Sequence, residues 1–325
     1  MRRWAVPAAV AVALVVGGVA TAALTALTEP ATVGTHAERL RSPQPSVGGC
    51  EVFPADNPWN VVVAGAPLRS DSAAIIAAIQ SNGGTSLHPD FGENPNYGIP
   101  FVVVAASQLR VPVVYDPYGD ESDPGPFPIP LEAPVEGGAG SSGDRHVLVV
   151  QSGSCELFEL FDAERSGQGW SAASGARFDL SSNVLRPLGW TSADAAGLPI
   201  LPGLVRFDEV AAGEIRHAIR VTFSRTQRGY VLPATHFASS STDPTLPAMG
   251  IRLRLKASFN VASLTGQART IAVAMQRYGL IVADNGSNWF FQGAPSLGWD
   301  DDDLNQLRSI SGFEFEVVDT GPVVH

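Results

Sequence analysis

The residues best suited to acid–base chemistry gather between Gly189 and Phe223. Asp208, Glu209 and Glu214 surround a turn at Gly213, and Asp194 lies upstream. Two carboxylates facing each other across a groove can act as acid and base on a glycosidic bond. His217 and His236 are the candidate assistants. The plainer reading is a set of acidic surface loops, and only placement and a shifted pKa separate an active carboxylate from a solvated one. His217 falls on the apolar side of an alternating run, Ile215, His217, Ile219, Val221 and Phe223, with Glu214, Arg216, Arg220 and Thr222 on the other side. That parity sets Glu214 and His217 on opposite faces.

His88, His146 and His236 sit at strand edges or in loops near Asp90, Asp144 and Asp243. No histidine pair has the i, i+4 spacing of a helical zinc site, so zinc would need distant histidines brought together. There is no G-x-S-x-G nucleophile motif, phosphate loop or dinucleotide fingerprint. The acidic loop carrying Asp116, Asp120, Glu121 and Asp123 offers hard oxygen ligands suited to calcium, without EF-hand spacing.

Candidate binding residues form a second group. Of the 21 Lys and Arg, five fall on the polar sides of two alternating runs: Arg216, Arg220, Arg252, Arg254 and Lys256. If those strands pair, they make a positive stripe suited to a carboxylated or sulfated glycan. The alternative is a solvated strand face neutralised by nearby acids such as Asp300–Asp303. Trp59, Trp170, Trp190, Trp289 and Trp299 can stack on sugar rings or serve as core rings with a hydrogen-bonded indole. Trp190 and Trp289, with Asp284 and Asn285, complete the expected ligand contacts.

The elements that must position these residues are short. The sequence predicts a helix over 71–81, strands over 101–104 and 111–115, and a hairpin of 146–151 with 155–161 across Ser152-Gly153-Ser154. Strands are expected at 214–223 and 251–259, and a helix over 265–278 ends at Gly279. A hairpin follows, 280–283 with 288–291, then a helix over 300–310 and a closing strand at 313–318. Residues 116–140 are too rich in proline for regular structure. Many short antiparallel strands with a few peripheral helices predict a mainly β chain, a single β-sandwich or jelly-roll-like domain over residues 50–320.

Composition agrees with an exported globular protein. The chain has 325 residues, 45% of them hydrophobic and 16% charged, enough for a sizeable core. A net charge of -11 argues against nucleic acid as a partner. Residues 1–28 open with Arg2-Arg3 before an Ala/Val-rich run and an Ala20-Thr21-Ala22 cleavage pattern, which reads as a secretory signal; an uncleaved membrane anchor is the competing reading. The arginine pair also hints at twin-arginine export. Residues 29–49 read as a flexible leader. Cys50 and Cys155, the two cysteines of the chain, are expected to form a disulfide rather than a reactive thiol.

The stretches GWTSADAAGLPILPG (189–203) and IVADNGSNWF (281–290) resemble those of a group of exported bacterial proteins of unassigned activity. The resemblance extends from Cys50 to Asp319 and implies one exported domain without a catalytic assignment. Together these features predict a secreted protein that acts on extracellular polysaccharide, as a polysaccharide lyase or glycoside hydrolase. The alternatives are a glycan-binding module without turnover and a structural envelope protein.

Overall fold

The run Val147-Leu148-Val149-Val150 is buried throughout, and a strand apolar on both faces must be covered twice. That requirement shapes the architecture. Leu148 and Val150 face one hydrophobic cluster, which continues into the largest sheet. Val147 and Val149 face a second cluster, shared with Phe127, Ile129, Phe158, Leu160 and Trp170. The expectation of a single β-sandwich or jelly roll is therefore corrected: the fold is mixed α/β, with four separate sheets in an open topology. A two-sheet sandwich has one core, whereas here the central sheet has apolar side chains on both faces.

The computed structural model describes residues 44–325, so the expected signal at 1–28 and the leader as far as residue 43 lie outside the described residues. In chain order, β1 (Ser46–Val47) pairs with β2 (Cys50–Glu51), and α1 (Ser72–Ser81) follows. Next come β3 (His88–Asp90), β4 (Phe101–Val104) and β5 (Val113–Tyr115). The expected hairpin is formed by β6 (Val147–Gln151) and β7 (Glu156–Phe161), paired antiparallel. Then follow β8 (Glu164–Ser166), β9 (Gly169–Ala172), β10 (Ser174–Asp179) and the short helix α2 (Phe207–Ala211). After β11 (Ile219–Phe223) and β12 (Arg252–Leu255), the chain forms α3 (Gly266–Arg277), β13 (Leu280–Asn285), β14 (Phe290–Gln292), α4 (Asp301–Asn305) and β15 (Phe315–Val318).

The central four-stranded sheet has the order β10-β7-β6-β4, and the largest sheet the order β15-β12-β13-β11-β14-β3. A three-stranded sheet, β5-β9-β8, flanks the second cluster. Cys50 and Cys155 form the expected disulfide, Cα–Cα 5.4 Å across 105 residues of sequence, tying β2 to the turn before β7. Among the described residues no helix is long and apolar enough to cross a membrane.

Two features of the large sheet depart from the sequence reading. Residues 280–291 are not a hairpin, because β11 lies between β13 and β14, parallel to the first and antiparallel to the second. Nor do β11 and β12 pair, since β13 separates them. Both are internal strands, so their polar side chains meet protein rather than water. Arg220 and Arg252 are each only 3% exposed, and the positive stripe does not form. The strand at 214–223 also begins later, at Ile219.

Candidate functional site

The parallel pair β11–β13 ends beside the loop 189–205. In open sheets with parallel strands, ligands bind outside the carboxyl ends of those strands. The register of the pair shifts after Val221: Val221 opposes Val282, but Thr222 opposes Asp284, which leaves Ala283 as an extra residue. Such a bulge bends a strand and re-aims the side chain that follows it. Here the freed Ala283 carbonyl accepts the Ala196 amide at 3.0 Å, docking the 189–205 loop onto β13. Gly197 lets that loop turn, with φ +71 and no room for a Cβ, which would lie 2.2 Å from Thr235 Oγ1. Ser192 holds the curve by donating to the Leu198 carbonyl and accepting the Asp194 amide.

This docking brings Asp194 and Asp284 together, with the two carboxyl groups hydrogen-bonded to each other. Their states differ because their neighbours do. Asp194 is fully buried and receives both arms of Arg220, Nε at 3.1 Å and Nη2 at 2.6 Å. Burial alone would lower the Arg220 pKa, but Asp194 outweighs it and the guanidinium is held firmly charged. Asp284 has no such cation to itself. Burial, reinforced by the charge of Asp194, pushes its pKa up to about 8, so it carries the shared proton through neutral pH.

Two further buried groups frame the pair. His146 Nδ1 lies 2.6 Å from Glu136 Oε2 and its Nε2 lies 3.0 Å from the Ala193 carbonyl. Both ring nitrogens face acceptors, so the ring is a doubly protonated imidazolium. Burial opposes that charge, but Glu136 prevails and raises the pKa to about 9. Glu159, buried among Leu157, Phe158 and Leu160 of strand β7, accepts the amides of Ile200 and Leu201 at 2.9–3.0 Å. Its burial raises its pKa to about 7 against the pull of those amides. Glu159 thus anchors the far end of the same loop to the central sheet.

Asp284 lines two cavities. One, about 340 Å³, is walled by Tyr118, Glu121, Phe161, Ser192 and His236. The other, about 250 Å³, is walled by Asp90, Glu136, Asp144, Asn285 and Gln292, with Arg220 and His146 at its base. In the first, His236 Nδ1 donates to the Ala195 carbonyl at 2.7 Å, which turns Nε2 toward Glu121 Oε2, 4.0 Å away. Glu121 is held by the Thr191 amide at 2.8 Å. The result is a crevice with a protonated carboxyl at its middle and a second carboxylate on one wall.

The other residues singled out in the sequence lie elsewhere. Glu209 is half-buried between His217 Nε2 at 3.0 Å and the Arg206 guanidinium at 2.5 Å. Burial would raise its pKa, but His217 and Arg206 together hold it below the usual range. Asp208 is exposed beside it, and Glu214 ion-pairs with Arg216 and Arg277 at the surface. A separate hollow of about 280 Å³ is lined by Asp208, Glu209, Glu214 and Arg216. Of the expected catalytic set, only His236 reaches the crevice around Asp284.

Of the expected ligand contacts, Asp284, Asn285 and Arg220 do line it, Arg220 with its charge committed to Asp194. Arg252 is buried against the carbonyls of Tyr278, Pro58 and Val61, and Arg254 bonds Glu316 and two carbonyls. Lys256 donates to the Phe313 carbonyl. Trp289 is a core ring whose indole donates to Gln80, and Trp190 is partly exposed beside Arg186.

The calcium expectation is overturned: among the described residues no cluster of three or more His, Cys, Asp or Glu could hold a metal ion. Asp123 is instead consumed by Arg186 and the Arg177 amide, and Glu121 turns one oxygen to the Thr191 amide. Sequence reasoning missed Glu136, Glu159 and the Asp194–Asp284 pairing. The sequence did carry a signal for the two aspartates, each following an alanine and followed within three residues by glycine in the two resemblance stretches. Comparison with protein-family models, with curated proteins and with solved structures finds no match to this chain.

Proposed function

We propose that this chain is a secreted carbohydrate-active enzyme, a glycoside hydrolase in which Asp284 is the general acid. The observation that carries the reading is a carboxyl kept protonated to about pH 8 that lines two cavities. A general acid needs its proton at the working pH, and burial beside a like charge is how a carboxyl retains one. A crevice open on both sides of that group suits a polymer, with sugar rings lying to either side of the bond to be broken.

The proposed chemistry balances simply. Asp284 donates its proton to the glycosidic oxygen as the C–O bond breaks. Glu121, on the wall of the larger cavity, takes a proton from the water that adds to the anomeric carbon. Asp194 is in direct contact with Asp284, too close for the ~5 Å or more that separates an acid from its partner carboxylate. Its role is to position Asp284 and keep it protonated, with Arg220 bonded to Asp194 from the other side. The disulfide supports an oxidising, extracellular setting.

Lyase chemistry fits less well. β-Elimination from a uronic sugar needs a cation to neutralise the substrate carboxylate. The cations lining the smaller cavity, Arg220 and His146, are each bonded to a protein carboxylate.

The test is to incubate the purified chain with a panel of neutral, amino and uronic polysaccharides, following reducing ends and the ultraviolet absorbance of unsaturated products. Reducing ends without absorbance are expected, and Asp284→Asn should lower turnover by about 10²–10⁴-fold. Full turnover in Asp284→Asn, or no cleavage of any polymer, would refute the proposal.

A further inference from the structure

The smaller cavity carries information about substrate charge. Four carboxyl groups line it: Asp90, Glu136, Asp144 and Asp284. Glu136 is balanced by His146, and the charge of Arg220 goes to Asp194 behind the wall. Both N–H groups of His146 are already spent, on Glu136 and on the Ala193 carbonyl. Among the described residues neither Asp90 nor Asp144 has an ion-pair partner. Burial pushes Asp90 above the usual carboxylate range, against the opposing pull of Gln292 and His88.

A second observation is independent of those charges. Gln292, on β14, is only 5% exposed and lines the same cavity, yet its Oε1 has no hydrogen-bond partner. Its Nε2 is directed to Asp90 Oδ2 at 3.5 Å, which leaves Oε1 as an unclaimed acceptor. A buried polar atom without a partner costs about 1–3 kcal/mol, so its retention calls for a function. Asn285 Nδ2 donates to Thr226 Oγ1 at 3.1 Å, so it does not supply the missing donor. The cavity therefore presents acceptors and negative charge, and lacks a donor of positive charge.

We infer that this cavity is a subsite for a protonated amine, so that the substrate is a polymer of amino sugars with free amino groups rather than of uronic acids. An ammonium group carries three donors and no acceptor, matching Asp90, Asp144 and the Gln292 oxygen. A uronate in the same place would meet unpaired carboxylates and no free cation. A neutral sugar would satisfy Gln292 through a hydroxyl and leave the acidic wall unbalanced. The substrate assignment rests on the hydrolase reading above, but amine recognition is read from the cavity itself.

The experiment measures binding separately from turnover. Asp284→Asn protein is titrated calorimetrically at about pH 5.5, below the amine range, with β-1,4-linked glucosamine hexamer, its fully N-acetylated counterpart and a galacturonate hexamer. The free-amine hexamer is expected to bind at least about tenfold tighter than the acetylated one, and galacturonate weakest. Asp90→Asn and Gln292→Met should each reduce that preference several-fold, with the fold confirmed by circular dichroism. Should either variant fail to fold, Asp144→Asn at the exposed rim tests the same point.

Equal binding of the two glucosamine hexamers, or preference for galacturonate, overturns the inference even if the wild-type protein hydrolyses neutral glycans. Amine-selective binding sensitive to Asp90 and Gln292, with no polymer cleaved by the wild type, would uphold the subsite and remove the hydrolase reading.

Discussion

Replacing Asp284 with asparagine should make the protein more stable at alkaline pH while removing the proposed acid. The carboxyl's ordinary value is 3.8 and its folded value about 8. At about 1.36 kcal/mol per tenfold change in proton affinity, that interval sets a ceiling of about 6 kcal/mol. Solvent at the mouths of the two cavities reduces the effect to about 2–3 kcal/mol. The sign follows from linkage. Between pH 4 and 8 the folded state binds a proton that the unfolded state has released, so the contribution of this carboxyl is fully present below about pH 4 and is lost as pH rises toward 8. Asparagine is neutral throughout and its amide can still donate to Asp194, so this share of the decline should vanish. Urea denaturation of both proteins at pH 5, 6, 7 and 8 measures it. The stability of Asp284→Asn relative to wild type should rise by about 2–3 kcal/mol across that range, leaving the milder slope from Glu159 common to both. Parallel curves across the whole range would show that Asp284 ionises normally, and the acid assignment would go with it.

Two other perturbations separate the crevice from the rest of the fold. Glu209→Gln leaves His217 and Arg206 without their shared counter-charge and should cost about 3–5 kcal/mol in denaturation experiments near neutral pH. Polymer turnover measured well below the melting temperature should be unchanged, because Glu209 lines a hollow separate from Asp284; a loss of turnover in a fully folded sample would return the site to that hollow. Replacing both Cys50 and Cys155 with serine opens a loop spanning 105 residues and should destabilise the domain by about 4–5 kcal/mol, seen as a lowered urea midpoint. An unchanged midpoint would show that the disulfide does not constrain the unfolded chain.

Local rules made part of this fold legible. The β6–β7 hairpin follows from two apolar runs around Ser152-Gly153-Ser154, and α3 from its apolar stripe and the stop at Gly279. The helix start is subtler: Thr265 makes no side-chain cap to the helix, and Asp303 from α4 takes the Gln267 and Ala268 amides instead. Strand neighbours were not legible. Residues 280–291 read as a hairpin because sequence order favours adjacent pairing, but β11 is inserted between the halves. The charge pattern misled for a related reason. Period-2 alternation says which residues share a face and nothing about what covers that face. Arg220 and Arg252 look solvated by parity, yet one meets a carboxylate from a distant loop and the other a set of backbone carbonyls. Glu159 was hidden the same way, as an acid in a largely apolar strand whose partners are amides 41 and 42 residues away.

The position of Arg220 also changes what the site's cation is for. Sequence alone suggests that it grips an anionic glycan. In the folded chain both arms are committed to Asp194, and its effect on a ligand passes through that carboxylate. Two contacting carboxyls in a buried site cannot both ionise, so one proton is retained between them. Arg220 breaks the symmetry: both its arms go to Asp194, while Asp284, the member that faces the cavities, is the one whose pKa is pushed up. The Ala283 bulge and the turn at Gly197 supply the geometry, and Glu159 fixes the loop that carries Asp194. Each of these devices lies within the core, away from any ligand, yet each bears on which oxygen holds the proton. A site built this way needs no free cation in its cleft, which is why an acid-catalysed reaction on a neutral or amine-bearing sugar suits it better than chemistry on a uronate.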